Sequence, residues 1–537
     1  MRHLLLMLFA ALTLGLTTTT RAADEPAGPA LEIRLRAVND LLVSFEYIGE
    51  SFGKGDEIKQ AAALVKAFAG PKGVEGIDIK RPFGFYGMVT PNVVDSPLVL
   101  MIPVADNDAF LNLLSGRLML SPEKGDDDIY ALDVPNFNPK VYFTFANKYV
   151  YATVLNKKSI DPKTLIDPKT FFAKDDGSVM SITIHNDRIP EAVRKPVLGQ
   201  IEQQLAAEKK KSQDNETPSE RKLKEIALDG VMSAMVSLFT DSKTATLRID
   251  VAPKSDDISI DFTLVPKDGS ALKQSLISSA KRTSVATLAG NVENPLMSGA
   301  VNLTVPESMR KSVDELIDLV VKESIEKAND DDKPAVEKVM NAFAPTLKSG
   351  NIQLGAALTG TMGKLELLTA LKVAEGKLIE KTAKELAQFV PANKGTFQFD
   401  LEKIGDANLH SGTSDDAEAK NNFGTNTFWL TTAKELLVLG IESKPKSTKR
   451  IATASPATSD ILNLKIGFAS LMPLAEKTIK PETLKGLVKE AFGDESPEGK
   501  DTLSVNVKGG ETLNVKATMK GKAVRLIALI NDKKKES

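Results

Sequence analysis

The chain has 537 residues, of which 42% are hydrophobic, 26% are charged and 5% are aromatic, with 69 basic and 71 acidic residues. This is the composition of a folded globular protein, and the length predicts several domains. The near balance of charge argues against a nucleic-acid partner, which needs a basic surface. The chain has no cysteine, which excludes disulfide bonds and thiolate chemistry.

The first residues have the layout of a secretory signal peptide. A basic start, Arg2 and His3, precedes the apolar run Leu4–Leu16, and small residues follow as far as Ala23. The run is short for a membrane span, so cleavage is favoured over anchoring. We expect residues 1–23 to be removed and the mature protein to be exported, periplasmic or extracellular, in a bacterium.

A distinctive string, KRPFGFYGMV, begins at Lys80. Arg81, Phe85 and Tyr86 are the candidate surface residues of this string, because a cation beside aromatic rings can form a binding platform. The alternative, which we favour, is a strand that packs its rings inward.

One short pattern, two strands followed by a helix, occurs four times. In three copies apolar and polar residues alternate along two runs, which predicts strands with one buried and one wet face, and the copy at 83–116 is a looser match. The apolar spacing then changes to that of a helix, and Asp106 and Ser270 are the predicted N-caps of two of these helices. The four segments are 83–116, 244–282, 350–390 and 502–527.

Hairpins of this kind can join into larger antiparallel sheets. We therefore predict an α+β fold in which repeated β-hairpin–helix units form antiparallel sheets with helices packed on one face. The copies share few identities, so chance recurrence of a common pattern is the alternative.

The remaining segments fit around these units. Three short strands are predicted over 129–155, one strand over 178–186, and a helix from Pro190. An amphipathic helix from Pro306 is expected to break at 329–334. The polar stretch HSGTSDDAEAKNN, which begins at His410, is predicted to be a mobile loop.

Weak boundary signals near 175–177 and 391–395 divide the chain into three predicted domains after the signal peptide. The central domain is expected to hold two hairpin–helix units and the long helices. The predicted parts are a signal peptide at 1–23, an N-terminal α+β domain at 24–176, a central α+β domain at 177–392 and a C-terminal α+β domain at 393–537.

Motifs for known chemistry are weak. His185 and His410 are the histidines that follow the predicted cleavage site, so a histidine-ligated metal or a Ser–His–Asp triad would have to use one of them. Each is better explained as a hydrogen-bonded structural residue. The acidic runs 126–128 and 330–332 lack the spacing of a calcium loop and are predicted to be solvated turns. We predict no catalytic residue, no metal ligand and no cofactor.

Three strings carry a family resemblance. They are GIDIKRPFGFYG at 76–87, DSPLVLMIPVADNDAFLNLL at 95–114 and SITIHNDRIPEAVRKPVLGQIEQQL at 181–205. In them the chain resembles a family of large secreted proteins of planctomycete bacteria that are described as hypothetical. The resemblance implies export and a repeated α+β build, and it brings no activity and no functional residue.

These observations leave three hypotheses for function. The first is an exported, non-enzymatic envelope protein that acts as a binding or scaffolding surface toward an envelope protein, a glycan or a lipid. The second is a carrier of lipid or another hydrophobic ligand. The third is a hydrolase that depends on carboxylates or on a metal. No nucleic-acid partner and no transmembrane segment is expected after cleavage.

Overall fold

The structure is a computed structural model that contains both helices and antiparallel strands, an α+β fold. The predicted signal peptide, residues 1–23, lies outside the residues that it describes. No helix among the described residues is long and apolar enough to cross a membrane. The described residues are 28–60, 63, 76–91, 96–125, 127–135, 139–154, 156–173, 177–210, 216–390, 395–472 and 481–536.

The chain forms two compact units. Unit 1 consists of residues 1–203, 235–268 and 520–537, and unit 2 consists of residues 204–234 and 269–519. The three-domain division predicted from the sequence follows other boundaries, parts of which lie outside the described residues, and it stays a prediction.

Ten strands of unit 1 form one antiparallel sheet. Their order across the sheet is β4-β5-β6-β7-β3-β2-β1-β8-β9-β10. The strands are β1 Leu31–Leu35, β2 Phe83–Gly87, β3 Leu98–Pro103, β4 Glu123–Lys124, β5 Tyr130–Leu132, β6 Val141–Ala146, β7 Tyr149–Thr153, β8 Met180–His185, β9 Ser242–Ala252 and β10 Asp257–Pro266.

Ten strands of unit 2 also form one antiparallel sheet, and β11 and β19 pair separately. The order across the sheet is β15-β16-β17-β18-β14-β13-β12-β20-β21-β22. The strands are β11 Thr283–Ser284, β12 Met297–Thr304, β13 Asn351–Thr361, β14 Lys364–Lys372, β15 Gly395–Ile404, β16 Ala407–Ser414, β17 Thr427–Thr432, β18 Leu436–Ile441, β19 Ala457–Thr458, β20 Leu462–Gly467, β21 Thr502–Lys508 and β22 Leu513–Lys520.

The helices connect these strands in chain order, except α14, which follows the last strand. Helices α4 and α5 each begin in one unit and end in the other, whereas α14 belongs to unit 1. The helices are α1 Val38–Ser51, α2 Asn107–Asn112, α3 Pro168–Phe171, α4 Glu191–Lys210, α5 Pro218–Thr240, α6 Ala271–Ala280, α7 Glu307–Lys327, α8 Lys333–Lys348, α9 Gly376–Ala387, α10 Ala417–Phe423, α11 Lys446–Ala452, α12 Phe468–Leu471, α13 Pro481–Phe492 and α14 Gly521–Glu536.

The two sheets have the same topology. When the sheet strands of each unit are numbered one to ten along the chain, with the separate β11 and β19 left out, both sheets read 4-5-6-7-3-2-1-8-9-10. A ten-strand order that departs from chain order at the same places in both units is a far more specific match than a recurring hairpin. Unit 2 therefore repeats the architecture of unit 1.

Backbone hydrogen bonds outside the strands match at the same places. In unit 1 the N–H of Val104 donates to the carbonyl oxygen of Lys148 at 3.0 Å. At the equivalent place in unit 2 the N–H of Val373 donates to the carbonyl oxygen of Glu435, also at 3.0 Å. Three further N–H to carbonyl hydrogen bonds match in the same way. In unit 1 they run from Ala30 to Gly87, from His185 to Ala30 and from Val179 to Ile249. In unit 2 the equivalent bonds run from Leu296 to Leu358, from Gly467 to Leu296 and from Ile461 to Val507.

The hydrophobic cores occupy equivalent positions as well. On one side of each sheet, Val99, Met101 and Tyr151 of unit 1 correspond to Leu368, Ala370 and Val438 of unit 2. On the other side, Val104, Val150 and Phe110 correspond to Val373, Leu437 and Ile379. Helical segments cover both sides, since Phe171 of α3 and Ile451 of α11 join the first cores, whereas α2 and α9 join the second. This part of each sheet is apolar on both faces. The predicted packing of helices on one face alone would leave the core on the other face uncovered.

The four predicted hairpin–helix segments are two pairs of equivalent segments. Hairpin β2–β3 with α2 corresponds to β13–β14 with α9, and hairpin β9–β10 with α6 corresponds to β21–β22 with α14. The predicted caps are present, with Asp106 accepting from the N–H of Ala109 and Ser270 from that of Lys273. In the second pair the hairpin and its helix belong to different units.

The prediction of a mobile loop from His410 is wrong. Residues Ala407–Ser414 form strand β16, which pairs with β15 on one side and β17 on the other, and α10 follows. His410 lies at the centre of this strand and is 2% exposed. Its polar neighbours are satisfied by pairing on both sides, which the local composition does not reveal.

Six neighbouring strands of each sheet carry a row of apolar side chains on one side, and we call this side the apolar face. In unit 1 the strand register places one row of apolar side chains across six strands. In unit 2 a similar row crosses the six equivalent strands, two positions along from the row that would be strictly equivalent. Most are only half-buried, and Leu100 of unit 1 is 41% exposed. The rows are Phe262, Leu247, Ile182, Ile33, Phe85 and Leu100 in unit 1, and Val515, Val507, Leu462, Val301, Leu354 and Leu371 in unit 2.

Candidate functional site

The three candidate surface residues do not form one surface. Phe85 and Tyr86 are neighbours on β2, so their side chains lie on opposite faces of the sheet. Tyr86 is 1% exposed and belongs to a core, whereas Phe85 is half-buried on the apolar face. Arg81 lies over the ring of Tyr149, 4.4 Å from its centroid, and donates to the carbonyl oxygen of Lys148. A cation–aromatic contact therefore exists, with a partner that the string KRPFGFYGMV does not contain.

A buried ionic cluster lies on the opposite side of β1 from the apolar face. The Glu32 carboxylate is 3.1 Å from Nε2 of His185 and accepts a hydrogen bond from Arg34, and Arg188 lies 3.9 Å away. Burial disfavours the charge on Glu32, but His185 and Arg34 outweigh it and hold the pKa of Glu32 below its ordinary value. The cluster is internally paired, which is the signature of a structural network.

A second cluster surrounds His410 in unit 2. The backbone N–H of Asp400 donates to Nδ1 of His410 at 3.0 Å, and Nε2 lies 3.0 Å from Oγ1 of Thr432. The Thr432 hydroxyl in turn donates to Glu380 at 2.8 Å. Because Nδ1 accepts from a backbone donor, the ring proton is on Nε2, and His410 is neutral in this arrangement.

The carboxylates of this cluster share a lysine. Nζ of Lys384 donates to Glu380 at 2.6 Å and to Asp400 at 2.8 Å. Hydrogen bonds to Asp400 and Glu380 raise the pKa of Lys384. Burial opposes ionisation of Glu380, but hydrogen bonds from Lys384, Thr432 and Asn408 hold its pKa below the ordinary value.

Glu380, Asp400 and His410 are residue types that can hold a metal, and their ligand atoms lie within 4.8 Å of one another. The ammonium of Lys384 already supplies the positive charge between the two carboxylates, and both ring nitrogens of His410 are engaged within the protein. The arrangement therefore fits an internal charge network better than a metal centre.

The acidic runs do not converge on a common point. Among the described residues, Asp127 pairs with Lys157 at 3.1 Å and Asp128 with Lys124 at 2.7 Å. In the second run Asp330 pairs with Lys333 at 2.6 Å. Asp127, Asp128 and Asp330 thus each pair with a separate lysine, which is consistent with solvated turns.

The remaining candidate is the apolar face itself. The alternating pattern predicted these strands, but it predicted a buried apolar side, and the structure leaves that side half-buried. Residues on it that are more than one third exposed include Leu100 and Ile260 in unit 1, and Met297 and Ile352 in unit 2. On strands β1, β8 and β9 of unit 1 the opposite side is polar, and the hydroxyls of Thr183 and Thr246 are hydrogen-bonded across β8 and β9.

No protein-family model, no curated protein and no solved structure matches the chain.

Proposed function

We propose that the protein is a non-enzymatic binding protein made of two like modules, each of which binds a hydrophobic ligand on its apolar face. The observation that carries this proposal is the pair of half-buried apolar rows, one in each unit, on sheets of the same topology. Contiguous, partly exposed apolar surface of this extent is typical of a binding surface.

Energetics favour an apolar ligand. Completing the burial of a leucine or isoleucine side chain is worth up to about 1.5–3 kcal/mol when the side chain starts fully exposed, and a fraction of that from a half-buried start. A row of such side chains therefore provides a substantial favourable term without requiring any new hydrogen bond. An acyl chain meets this requirement, because it has no polar group to satisfy on the face.

The shared topology supports a further part of the proposal, a common origin of the two units by duplication. The segments Val104–Asp106, VAD, and Val373–Glu375, VAE, follow equivalent strands and precede equivalent helices. Duplication of the whole ten-strand unit explains the four hairpin–helix segments as two kinds of segment in two copies. Under this proposal each copy retains its own ligand site.

Scaffolding of an envelope protein or a glycan is the second candidate. Strand β15 favours it, because this ten-residue strand pairs with β16 alone among the described strands and carries Phe397 and Leu401, which are 38% and 46% exposed. Such an edge can accept an extended segment of a partner.

Ligand binding predicts a stoichiometry of two. The chain, freed of lipid and reloaded with palmitate, is expected to show two bound palmitates by native mass spectrometry, one for each unit. Leu247→Asp in unit 1 and Val505→Asp in unit 2 place a charge on the apolar face, so each is expected to remove one ligand.

The matched control is Ser504→Asp, which changes the opposite side of β21 next to Lys465. This variant is expected to keep both ligands. Failure of the wild-type chain to take up palmitate, or retention of both ligands by Leu247→Asp and Val505→Asp, contradicts the proposal.

We also propose that the mature protein is exported, as the layout of residues 1–23 and the resemblance to secreted planctomycete proteins suggest. N-terminal sequencing of protein isolated from its own cells is expected to start after the Ala22–Ala23 region. Recovery of the chain with Met1 from the cytoplasmic fraction would show the opposite.

A further inference from the structure

The strands at the fourth position of the two units differ sharply. In unit 1 this strand is β4, which has two residues, both charged and exposed. In unit 2 it is β15, which has ten residues. Short charged strands protect the end of a sheet from pairing with other chains, and a long strand needs another device.

In β15 a bulge at Asp400 interrupts the regular pairing edge. The register of β15 against β16 shifts between Gln398 and Glu402, and Asp400 has φ +56°. This left-handed conformation is costly for a residue with a side chain, so it persists only where the surroundings hold it.

His410 is what holds the bulge. Its Nδ1 accepts the backbone N–H of Asp400 at 3.0 Å, and its ring packs edge-on against Phe399 with centroids 5.4 Å apart. The Asp400 side chain is turned to Lys384, which donates to it at 2.8 Å. The backbone of the bulge thus depends on one lone pair of a buried imidazole.

Protonation removes that lone pair. A proton on Nδ1 would face the N–H of Asp400. Two donors would then be opposite each other, and the hydrogen bond from Asp400 to Nδ1 would be lost. The Asp400 carboxylate, 3.9 Å from Nδ1, is a candidate replacement acceptor. Bringing it closer requires the side chain to leave Lys384 and the backbone to leave its left-handed conformation.

We propose that His410 is a pH-sensitive latch, which fixes the bulge of β15 when neutral and releases it when protonated. The titratable groups that face His410 are Asp400 from β15, and Glu380 and Lys384 from α9. Thr432 contacts it from β17 and has no titration in this range. Released, β15 can straighten and expose a regular pairing edge. This inference is independent of ligand binding.

The sign of the pH dependence follows from the ring's surroundings. Burial lowers the pKa of His410, and Glu380 and Asp400 oppose this only in part. The latch therefore contributes its full stability above the ordinary histidine pKa of about 6.5 and loses it as the pH falls below that value.

Hydrogen exchange of the full chain tests the latch. Peptides that span β15 are compared at about pH 7.5 and about pH 5, after correction for intrinsic exchange, and are expected to exchange at least about tenfold faster at the lower pH. His410→Asn keeps an acceptor near Nδ1 but does not titrate, so its β15 peptides are expected to show no such acceleration. His185→Asn, in unit 1, is the matched control and is expected to keep the acceleration.

Equal protection of β15 at both pH values in the wild-type chain overturns the latch, as does a pH response that survives in His410→Asn. If that variant does not fold, the wild-type chain labelled at histidine Cε1 decides by NMR. Titration of the His410 ring must then coincide with the change in β15 exchange, and a midpoint that differs from it overturns the proposal.

Discussion

Replacing Glu32 with leucine is expected to destabilise unit 1 by about 3–5 kcal/mol. Glu32 is 9% exposed and faces His185 and Arg34 on the polar side of β1. Among the described contacts, Glu32 supplies the only carboxylate that pairs with the Arg34 side chain, which is 11% exposed, and the leucine removes it. The large cost arises because the buried positive charge is left without its counter-charge.

Two controls separate this charge effect from packing. Glu32→Gln keeps the size and one acceptor oxygen, so a smaller loss of about 1–3 kcal/mol is expected. Glu366→Leu changes an exposed carboxylate on β14 and is expected to stay within about 0.5 kcal/mol. Urea unfolding monitored by hydrogen exchange resolves the strands of unit 1 from those of unit 2. A Glu32→Leu chain as stable as wild type would show that the cluster carries no stability.

The ionic cluster around Glu32 also predicts how the stability of unit 1 changes at acidic pH. Because the folded pKa of Glu32 lies below its ordinary value of 4.5, its contribution is present above that value and is lost as the pH falls through the folded pKa. The wild-type chain should lose unit 1 stability in this acidic range, and Glu32→Gln should lose less of it.

Local elements followed from local signals. The period-two alternation predicted the strands of three of the four hairpins, and Asp106 and Ser270 cap helices as predicted. These features depend on residues close together in the chain, so a sequence read locally contains them.

The shared strand order of the two units was not predicted, because strand order is not a local property. The equivalent strands β4 and β15 differ fivefold in length, and the loops between equivalent strands differ as well. The sequence retains a trace in VAD at Val104 and VAE at Val373, but three residues are too few to identify a repeat of this size.

The clusters around Glu32 and His410 were missed for the same reason. His185 and Glu32 are 153 positions apart, and His410 reaches Glu380 through Thr432, 22 positions away. Polar composition around His410 predicted a loop, whereas pairing with β15 and β17 makes it a central strand residue. Only the assembled sheet brings these groups together.

Replacing Gly355 with alanine is expected to destabilise unit 2 by about 3 kcal/mol, and valine more. Gly355 lies in the middle of β13, against the segment Ala286–Gly290 that covers a core of unit 2. A Cβ atom there would lie 2.2 Å from the carbonyl oxygen of Ala286 and 2.9 Å from the backbone nitrogen of Gly290. Both contacts are to backbone, so no side-chain rotation relieves them, and either the segment or the strand must move.

Gly486 provides the matched control in the same unit. It lies inside α13, is exposed, and a Cβ atom there would meet nothing within 4 Å. Gly486→Ala is therefore expected to stabilise unit 2 by about 0.5–1 kcal/mol through helix propensity. Thermal unfolding with unit-resolved hydrogen exchange compares the two variants directly. If Gly355→Ala were as benign as Gly486→Ala, the close approach of Ala286–Gly290 to β13 would be refuted, and with it the packing of the core that this segment covers.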